Sequence, residues 1–349
     1  MAAKIKVAVV GASGYAGLEL VRLLVRHPAC ELAALTSLEY PGLPFSQVFP
    51  ALAGIVDLPI SKDSDPEKIG ALAQVVFTAV PHKAAMGMIP GFLAQGCRVV
   101  DLSADFRFKD RALYEKWYQA HTVPELLPEA VYGLPELHRD EVRQARLVGN
   151  PGCYPTCVIL GLAPLARAGL LQPDSVIADC KSGVSGAGRQ GLLGLQFCEV
   201  NDGFRAYKVL EHRHTPEMEQ ELSSLAGMPV KVTFTPHLTP MSRGILGTLY
   251  ATLKESRSEG ELRELYRQFY QGHPFVRLLP PGSLPDTRNV RGANFCDVAL
   301  KVDEASRRVI VLSAIDNLTR GAAGQAVHNF NLMLGLPETL GLETPPFIP

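Results

Sequence analysis

The most reactive side chain in a defined local setting is Cys153, in the segment GNPGCYPTC at 149–157. It lies in a turn rich in glycine and proline, directly before a predicted helix over 155–168. The aligned N–H groups at the start of a helix stabilise a thiolate and lower the pKa of the thiol. Such a thiolate can attack an activated acyl group, and the same N–H groups can stabilise the resulting oxyanion. The alternative is a small buried thiol, the usual environment of a free cysteine, and Cys157 fits that description better.

Two histidines, His212 and His214, supply candidate proton-transfer groups in the segment EHRHTPE at 211–217. Attack by a thiol and reduction of the thioester need a group that accepts and returns a proton, and imidazole titrates near neutral pH. Two other interpretations remain open. The TPE sequence is typical of a helix start, and the His-x-His spacing could belong to a metal site. Zinc requires several Cys and His ligands that converge tetrahedrally, so we predict no metal.

A glycine-rich segment, GASGYAG at 11–17, follows the apolar run VAVV at 7–10. It is a G-x-x-G-x-x-G variant of the dinucleotide fingerprint, between a predicted strand and a helix predicted over 15–26. Glycines there permit a tight turn and let backbone N–H groups approach a pyrophosphate. The alternative is an ordinary strand–turn–helix connection with glycine caps.

The second predicted strand, 31–37, ends at Thr36 and Ser37 without a carboxylate at its tip. An acid at that position would hydrogen-bond the ribose diol of NAD and repel a 2′-phosphate. Small hydroxyl groups leave room for the phosphate and can donate to it, so the sequence favours NADP, with Ser37 as a contact. Glu39 lies close by and argues for NAD.

Two further segments contain cations beside small residues. In DLSADFR, at 101–107, Arg107 follows the end of a predicted strand and could bind a phosphate or carboxylate in bidentate fashion. The alternative is a solvated surface arginine. The segment KSGVSGAGR, at 181–189, could hold an anion with its N–H groups or serve as a linker.

The order of predicted elements indicates two domains in a chain of 349 residues. The first 150 residues alternate strands and helices, which is typical of an α/β, Rossmann-type doubly wound parallel sheet. After Asn150, β-rich runs at 175–181, 230–235, 244–253, 296–302 and 308–315 predict an α+β domain with a mixed or antiparallel sheet. The stretch 322–334 is predicted to be helical.

Composition narrows the class of protein. The chain is 47% hydrophobic and 20% charged, as in soluble globular proteins, and its formal net charge is −1. We therefore expect neither nucleic acid nor a membrane as a partner. No stretch approaches 18 consecutive apolar residues, and the first residues lack the pattern of a signal peptide. Seven scattered cysteines indicate a reducing compartment, so we predict a cytoplasmic location.

Six motifs occur in a fixed order along the chain: GASGYAG, DLSADFR, GNPGCYPT, KSGVSGAGR, YKVLEHRHTPE and DNLTRGAAGQAVHN. With them, the chain resembles the N-acetyl-gamma-glutamyl-phosphate reductase family of arginine biosynthesis, a relative of the aspartate-semialdehyde dehydrogenases. The resemblance implies that Cys153 is the catalytic nucleophile and His214 the acid and base. It also implies that the last helix returns to a nucleotide-binding domain.

The residues that would bind the cofactor and the substrate follow from the same resemblance together with the patterns above. The expected NADP(H) contacts are Gly11, Ser13, Gly14, Tyr15, Ala16, Gly17, Ser37 and Asn317. The expected contacts to substrate or phosphate are Arg107, Asn150, Ser182 and Gly183. The implied domains are 1–150 plus about 317–349, which binds NADP, and 151–316, which carries catalysis and oligomerisation.

The implied activity is that of an NADP-dependent phosphorylating aldehyde dehydrogenase, which reduces N-acetyl-gamma-glutamyl phosphate to N-acetyl-glutamate 5-semialdehyde and phosphate through a Cys153 thioester. The family also implies a homo-oligomer, either a dimer or a tetramer. Two enzymatic alternatives use the same chemistry on carrier-protein-linked aminoadipyl phosphate, from lysine biosynthesis, or on aspartyl phosphate. An alternative from another class is an NADP sensor without catalysis.

Overall fold

The computed structural model describes residues 3–347. Their packing divides the chain into two units, Met1–Pro151 with Ala322–Glu343 and Gly152–Gly321 with Thr344–Pro349. The first two and last two residues, which belong to the predicted nucleotide-binding domain, lie outside the described residues. Residues 317–321 and 344–347, which the sequence analysis places in that domain, pack in the second unit, and Pro151 packs in the first. The roles of the two units remain predictions at this point.

The secondary structure is as follows. In chain order the strands are β1 (Ile5–Val10), β2 (Cys30–Thr36), β3 (Ile60–Ser61), β4 (Val75–Thr78), β5 (Arg98–Asp101), β6 (Val131–Tyr132), β7 (Leu147–Gly149), β8 (Val176–Gly183), β9 (Arg205–Ala206), β10 (Val232–Thr239), β11 (Ile245–Thr252), β12 (Val276–Leu278), β13 (Cys296–Asp303) and β14 (Arg308–Ile315). The α-helices are α1 (Tyr15–Leu24), α2 (Phe45–Val48), α3 (Pro66–Leu72), α4 (Ile89–Ala94), α5 (Arg111–Trp117), α6 (Pro135–Gln144), α7 (Cys153–Arg167), α8 (Phe197–Val200), α9 (Thr215–Ala226), α10 (Glu259–Phe269) and α11 (Gly324–Met333).

The first unit is built on a sheet of seven strands in the order β3-β2-β1-β4-β5-β7-β6. All of its pairings are parallel. β4 is buried along its whole length and β1 over its last four residues, as expected for strands covered by helices on both faces. The strand order reverses between β1 and β4, and ligands bind at such a point in open α/β sheets. The predicted Rossmann-type doubly wound sheet is confirmed.

The second unit contains a mixed sheet in the order β12-β13-β14-β11-β8-β10-β9. β8 pairs with β10 and β12 with β13 in parallel, and the other pairings are antiparallel. The predicted mixed sheet is confirmed. Helix α7 packs against β11 and β14. It begins at Cys153, two residues before the predicted start, because Pro155 lies in the first turn, where its missing N–H costs little.

The C-terminal helix begins with an irregular turn. A π-helical turn spans Thr319–Ala323, and α11 continues from it with all ten of its residues buried. The predicted helix over 322–334 therefore exists but is preceded by wider backbone turns. No helix within residues 3–347 is both long enough and apolar enough to cross a membrane.

Helix α7 contains a proline whose effect is offset by two tyrosines. Pro164 has no N–H, so the carbonyl of Leu160 loses its helical donor. The hydroxyl of Tyr270 donates to that carbonyl, and the hydroxyl of Tyr266 donates to the carbonyl of Gly161 at 2.5 Å. Burial raises the pKa of the Tyr266 hydroxyl far above its usual value, so this side chain stays a donor. The two phenols thus stabilise the helix that begins with Cys153.

We expect Tyr270→Phe to lower the free energy of unfolding by about 1–3 kcal/mol, because it leaves the buried carbonyl of Leu160 without a donor. Urea unfolding at equilibrium measures the change. The control is Tyr250→Phe on β11, where the side chain is half-buried, and we expect a change within about 0.5 kcal/mol. Equal losses in the two variants would contradict the role of Tyr270.

Candidate active site

Cys153 is the first residue of α7, and Gly152 is the N-cap, with φ −69° and ψ 156°. The thiol is half-buried, and the helix dipole favours a negative charge on a sulfur at this position. Its neighbour Cys157 lies deeper in the helix, where burial raises the pKa of the thiol to about 12. Cys157 is therefore a core residue, as expected.

Four other cysteines resemble Cys157 in being buried, and Cys198 is exposed. Burial raises the pKa of Cys30 to about 12 and raises the pKa of Cys97, Cys180 and Cys296. These thiols therefore stay protonated at neutral pH. Cys153 differs from them in its place at a helix start.

His214 is the N-cap of α9, and its imidazole lies against the backbone of Gly152. A Cβ atom on Gly152 would be only 2.6 Å from Nε2 of His214. Any side chain at position 152 would push the imidazole away, so glycine is required there. The fold therefore places the ring of His214 beside the residue that precedes Cys153.

His212 packs behind His214, with 4.8 Å between the ring centroids. Burial lowers the pKa of His212 to about 4, and the nearby charges of Lys208 and Arg213 lower it further. The neutral ring accepts the N–H of His214 on Nδ1 at 3.1 Å. These contacts give His212 the role of holding the backbone of His214, and they support His214 as the proton-transfer group.

Glu217 is a site residue that the sequence analysis treats only as part of a helix start. Its side chain is fully buried, and its Oε1 accepts the N–H of Gly152 at 2.7 Å. It lies one turn after His214, so both side chains point from the start of α9 towards the start of α7. That spacing was the only signal in the sequence that could have identified it.

The remaining predicted residues of the second unit form a hydrogen-bonded group. Ser182 and Gly183 end β8, and the hydroxyl of Ser182 hydrogen-bonds with that of Tyr154, the residue after Cys153. The amide of Asn317 accepts the N–H of Gly244 at 2.8 Å and donates to Ser185 at 2.9 Å. The structure therefore brings Ser182 to the side chain of Tyr154 and fixes the orientation of the Asn317 amide.

The π-helical turn of the last motif also contacts the cysteine. A Cβ atom on Gly321 would lie 2.7 Å from Cβ of Cys153. The segment DNLTRGAAGQAVHN therefore contacts Cys153 through the backbone of Gly321, where a side chain would not fit.

In the first unit, the predicted cofactor contacts cluster around the turn between β1 and α1. Gly11 has φ +87°, and a Cβ atom there would lie 2.5 Å from the carbonyl oxygen of Ala79. Ser13 and Ser37 share a hydrogen bond of 2.7 Å between their hydroxyls, and Ser37 also accepts the N–H of Glu39. The side chain of Glu39 is exposed. The positive φ and the close approach of Ala79 thus require glycine at position 11, and hydroxyls stand where NAD-specific sites carry an acid.

The other members of the turn continue into the helix. Gly14 is the N-cap of α1, Tyr15 is its first residue, and Ala16 and Gly17 follow in the first turn. Together with Gly11 and Ser13 they surround the helix N-terminus, which is where a dinucleotide pyrophosphate binds.

Arg107 and Asn150 lie together in the first unit and hold backbone. Nε of Arg107 donates to the carbonyl of Asn150 at 2.7 Å, and Nη2 donates to the carbonyl of Leu102 at 2.8 Å. Nδ2 of Asn150 donates to the carbonyl of Ala322 at 3.1 Å, and its Oδ1 accepts from Asn329 at 3.0 Å. Arg107 is buried, so it is not a solvated surface arginine. The contacts of both residues to substrate stay predictions.

Comparison with known families assigns both parts of the chain. Residues 6–145 match the model described as "Semialdehyde dehydrogenase, NAD binding domain". Residues 153–317 match the model described as "Semialdehyde dehydrogenase, dimerisation domain".

Curated relatives match over the full length. The chain is 58% identical to the N-acetyl-gamma-glutamyl-phosphate reductase of Geobacter metallireducens, covering 99% of this chain and 100% of that protein. The protein of the same name from Syntrophobacter fumaroxidans is 57% identical with the same coverage.

Solved structures share the fold at low sequence identity. Aspartate semialdehyde dehydrogenase II from Vibrio cholerae superposes with a TM-score of 0.72 at 15% identity, covering 95% of this chain and 98% of that one. Aspartate semialdehyde dehydrogenase with NADP from Candida albicans gives a TM-score of 0.71 at 17% identity, covering 97% and 100%.

The geometry of the two histidines predicts how the reactivity of Cys153 depends on each. In a Cys198→Ser background, which removes the exposed thiol, we expect His214→Asn to lower the rate of alkylation by iodoacetamide at pH 7 by about tenfold, because the thiolate loses its partner. His212→Asn should lower it less. Rates measured from pH 5 to pH 10 make the comparison. A larger fall in rate in the His212→Asn variant would mean that His212, and not His214, is the proton-transfer partner of the Cys153 thiol.

Proposed function

The chain belongs to the N-acetyl-gamma-glutamyl-phosphate reductase family, and we propose that it reduces N-acetyl-gamma-glutamyl phosphate to N-acetyl-glutamate 5-semialdehyde and phosphate with NADPH, a step of arginine biosynthesis. The observation that carries this proposal is the 58% identity to a relative of that name over its full length. The position of Cys153 at the start of α7, with the imidazole of His214 beside Gly152, supports a mechanism through a thioester.

The first unit is the proposed site for NADP(H). Its residues match an NAD-binding domain, and one structural neighbour is described as a complex with NADP. The N-terminus of α1, which follows the glycine-rich turn, suits the pyrophosphate, and Ser37 suits a 2′-phosphate. When bound, NADPH supplies the hydride that reduces the thioester. The amide of Asn317, fixed by Gly244 and Ser185, is proposed to contact the nicotinamide.

In the first chemical step, the imidazole of His214 accepts the proton of the Cys153 thiol. The thiolate attacks the acyl carbon, so that a C–S bond forms and the C–O bond to phosphate breaks, with phosphate leaving with the electron pair. In this proposal, N–H groups of the first turn of α7 stabilise the negative charge on the carbonyl oxygen during the attack. The product is a thioester on Cys153.

Reduction of the thioester again places negative charge on the carbonyl oxygen. The same N–H groups can stabilise it, and His214 can donate the proton that it took from the thiol. The thiohemiacetal then returns this proton to the imidazole and its C–S bond breaks. Cys153 leaves as the thiolate and the aldehyde is released, so the chain is ready for another substrate.

The oligomeric state and the compartment are part of the same proposal. The matched model for residues 153–317 is described as a dimerisation domain, which supports a homo-oligomer, either a dimer or a tetramer. The seven cysteines are free thiols, which suits a reducing compartment such as the cytoplasm.

A substrate panel tests the activity. In the oxidative direction, with NADP+ and inorganic phosphate, we expect kcat/KM for N-acetyl-glutamate 5-semialdehyde to exceed that for aspartate semialdehyde by about 10²-fold or more, since the acetamide has no counterpart in the smaller substrate. Cys153→Ala is the control and should show no turnover. A preference for aspartate semialdehyde or for an aminoadipate semialdehyde would overturn the assignment.

Gly152→Ala tests the placement of His214. The added methyl group would lie 2.6 Å from Nε2 of the imidazole and force it to move, so we expect kcat to fall by about 10²-fold. The matched control is Gly191→Ala, where a Cβ atom would have no described heavy atom within 4 Å, and kcat should stay within about twofold. Circular dichroism and Tm verify that both variants fold. Similar kcat values in the two variants would show that the position of the His214 imidazole does not affect catalysis.

A further inference from the structure

The motif DLSADFR contains a buried carboxylate that the proposed reaction does not use. Asp105 is fully buried. Its two oxygens both accept the backbone N–H of Lys83, at 2.9 and 3.0 Å, and Oδ1 also accepts the hydroxyl of Tyr114 at 2.8 Å. The sequence suggests a ligand site here, but the carboxylate holds a loop of its own unit.

Lys83 has an unusual backbone conformation. Its φ is +80°, a region that residues with a side chain rarely adopt. A second hydrogen bond ties the same loop to the motif, since Nδ1 of His82 accepts the N–H of Ala104 at 3.0 Å. The loop after β4 is therefore fixed at two neighbouring residues by the segment that follows β5.

This loop lies against the glycine-rich turn. The N–H of Ala79 donates to the carbonyl of Val10 at 2.7 Å, and the carbonyl of Ala79 occupies the space that a Cβ atom on Gly11 would need. β1 and β4 are the strands between which the sheet order reverses. The loop over 79–83 thus forms one wall of the crevice in which a dinucleotide binds.

We propose that Asp105 is a positioning residue for NADP(H): by holding the N–H of Lys83 in its left-handed conformation, it keeps the loop over 79–83 in the shape that binds the cofactor. This inference rests on the proposed function only in assuming that the first unit binds NADP(H). Asparagine at 105 has an NH2 group in place of one carboxylate oxygen, so the N–H of Lys83 loses one of its two acceptors and faces a donor instead.

The test measures cofactor affinity in the full chain. Titration calorimetry with NADP+ gives the Kd, and steady-state kinetics give the KM for NADP+ and for the semialdehyde. If Asp105→Asn reduces the binding-competent population of the loop to about a tenth, the Kd for NADP+ rises about tenfold. The rate of Cys153 alkylation and the KM for the semialdehyde should change by less than about twofold.

A matched control and a rescue variant separate positioning from stability. Asp110→Asn changes an exposed carboxylate that caps α5 through the N–H of Ala112, and it should leave the Kd within about twofold. Adding Lys83→Gly to Asp105→Asn should restore most of the affinity, because glycine adopts a positive φ readily.

A second variant keeps the inference testable if Asp105→Asn does not fold. The side chain of Lys83 is exposed, and Lys83→Val should raise the Kd about tenfold relative to Lys83→Ala, because a β-branched residue resists positive φ. Unchanged affinity in Asp105→Asn or Lys83→Val, or a loss that Lys83→Gly does not reverse, would overturn the inference. A chain that binds NADP+ but prefers another acyl phosphate would overturn only the proposed substrate.

Discussion

The hydrogen bond from the Gly152 N–H to the buried carboxylate of Glu217 fixes the start of one helix against the start of another. Helix N-termini carry partial positive charge and repel each other when they converge. The carboxylate between the starts of α7 and α9 offsets that repulsion, and it belongs to the same helical turn as His214. Together with the hydrogen bond from the His214 N–H to Nδ1 of His212, it holds the imidazole beside the residue that precedes Cys153.

The close packing around the start of α7 also limits the size of the residues at positions 152 and 321. His214 can lie against position 152 only if that residue lacks a side chain, and the same holds for Gly321 against Cβ of Cys153. Backbone therefore surrounds the candidate nucleophile on two sides. The N–H of Gly152 donates to Glu217 and the N–H of Gly321 to the carbonyl of Asp316, so both backbone segments around the thiol are held in place within the second unit.

The sequence predicts the features that depend on neighbours along the chain. The two sheets, Cys153 at a helix start, the paired histidines and the glycine-rich turn all follow from local patterns. What it does not predict depends on residues that are distant in sequence. Glu217 and Gly152 are 65 positions apart, and Tyr270 and Leu160 are 110 apart. The short strands β3, β6, β7, β9 and β12 were also missed, because two or three residues form them only when a neighbouring strand is present.

The motif DLSADFR after β5 predicts ligand contacts from its place in the sheet, but it does not reveal that Asp105 holds a loop. Ligands do bind at the carboxyl ends of parallel strands, but a negative charge close to phosphates would oppose binding. Asp105 bonds within its own unit, where it accepts the N–H of Lys83 and the hydroxyl of Tyr114, and the side chain of Lys83 is exposed. Asp101, at the end of β5, has its pKa raised to about 6 by burial and then by the charge of Asp105. Asp101 thus ionises less readily because it is buried and lies near Asp105.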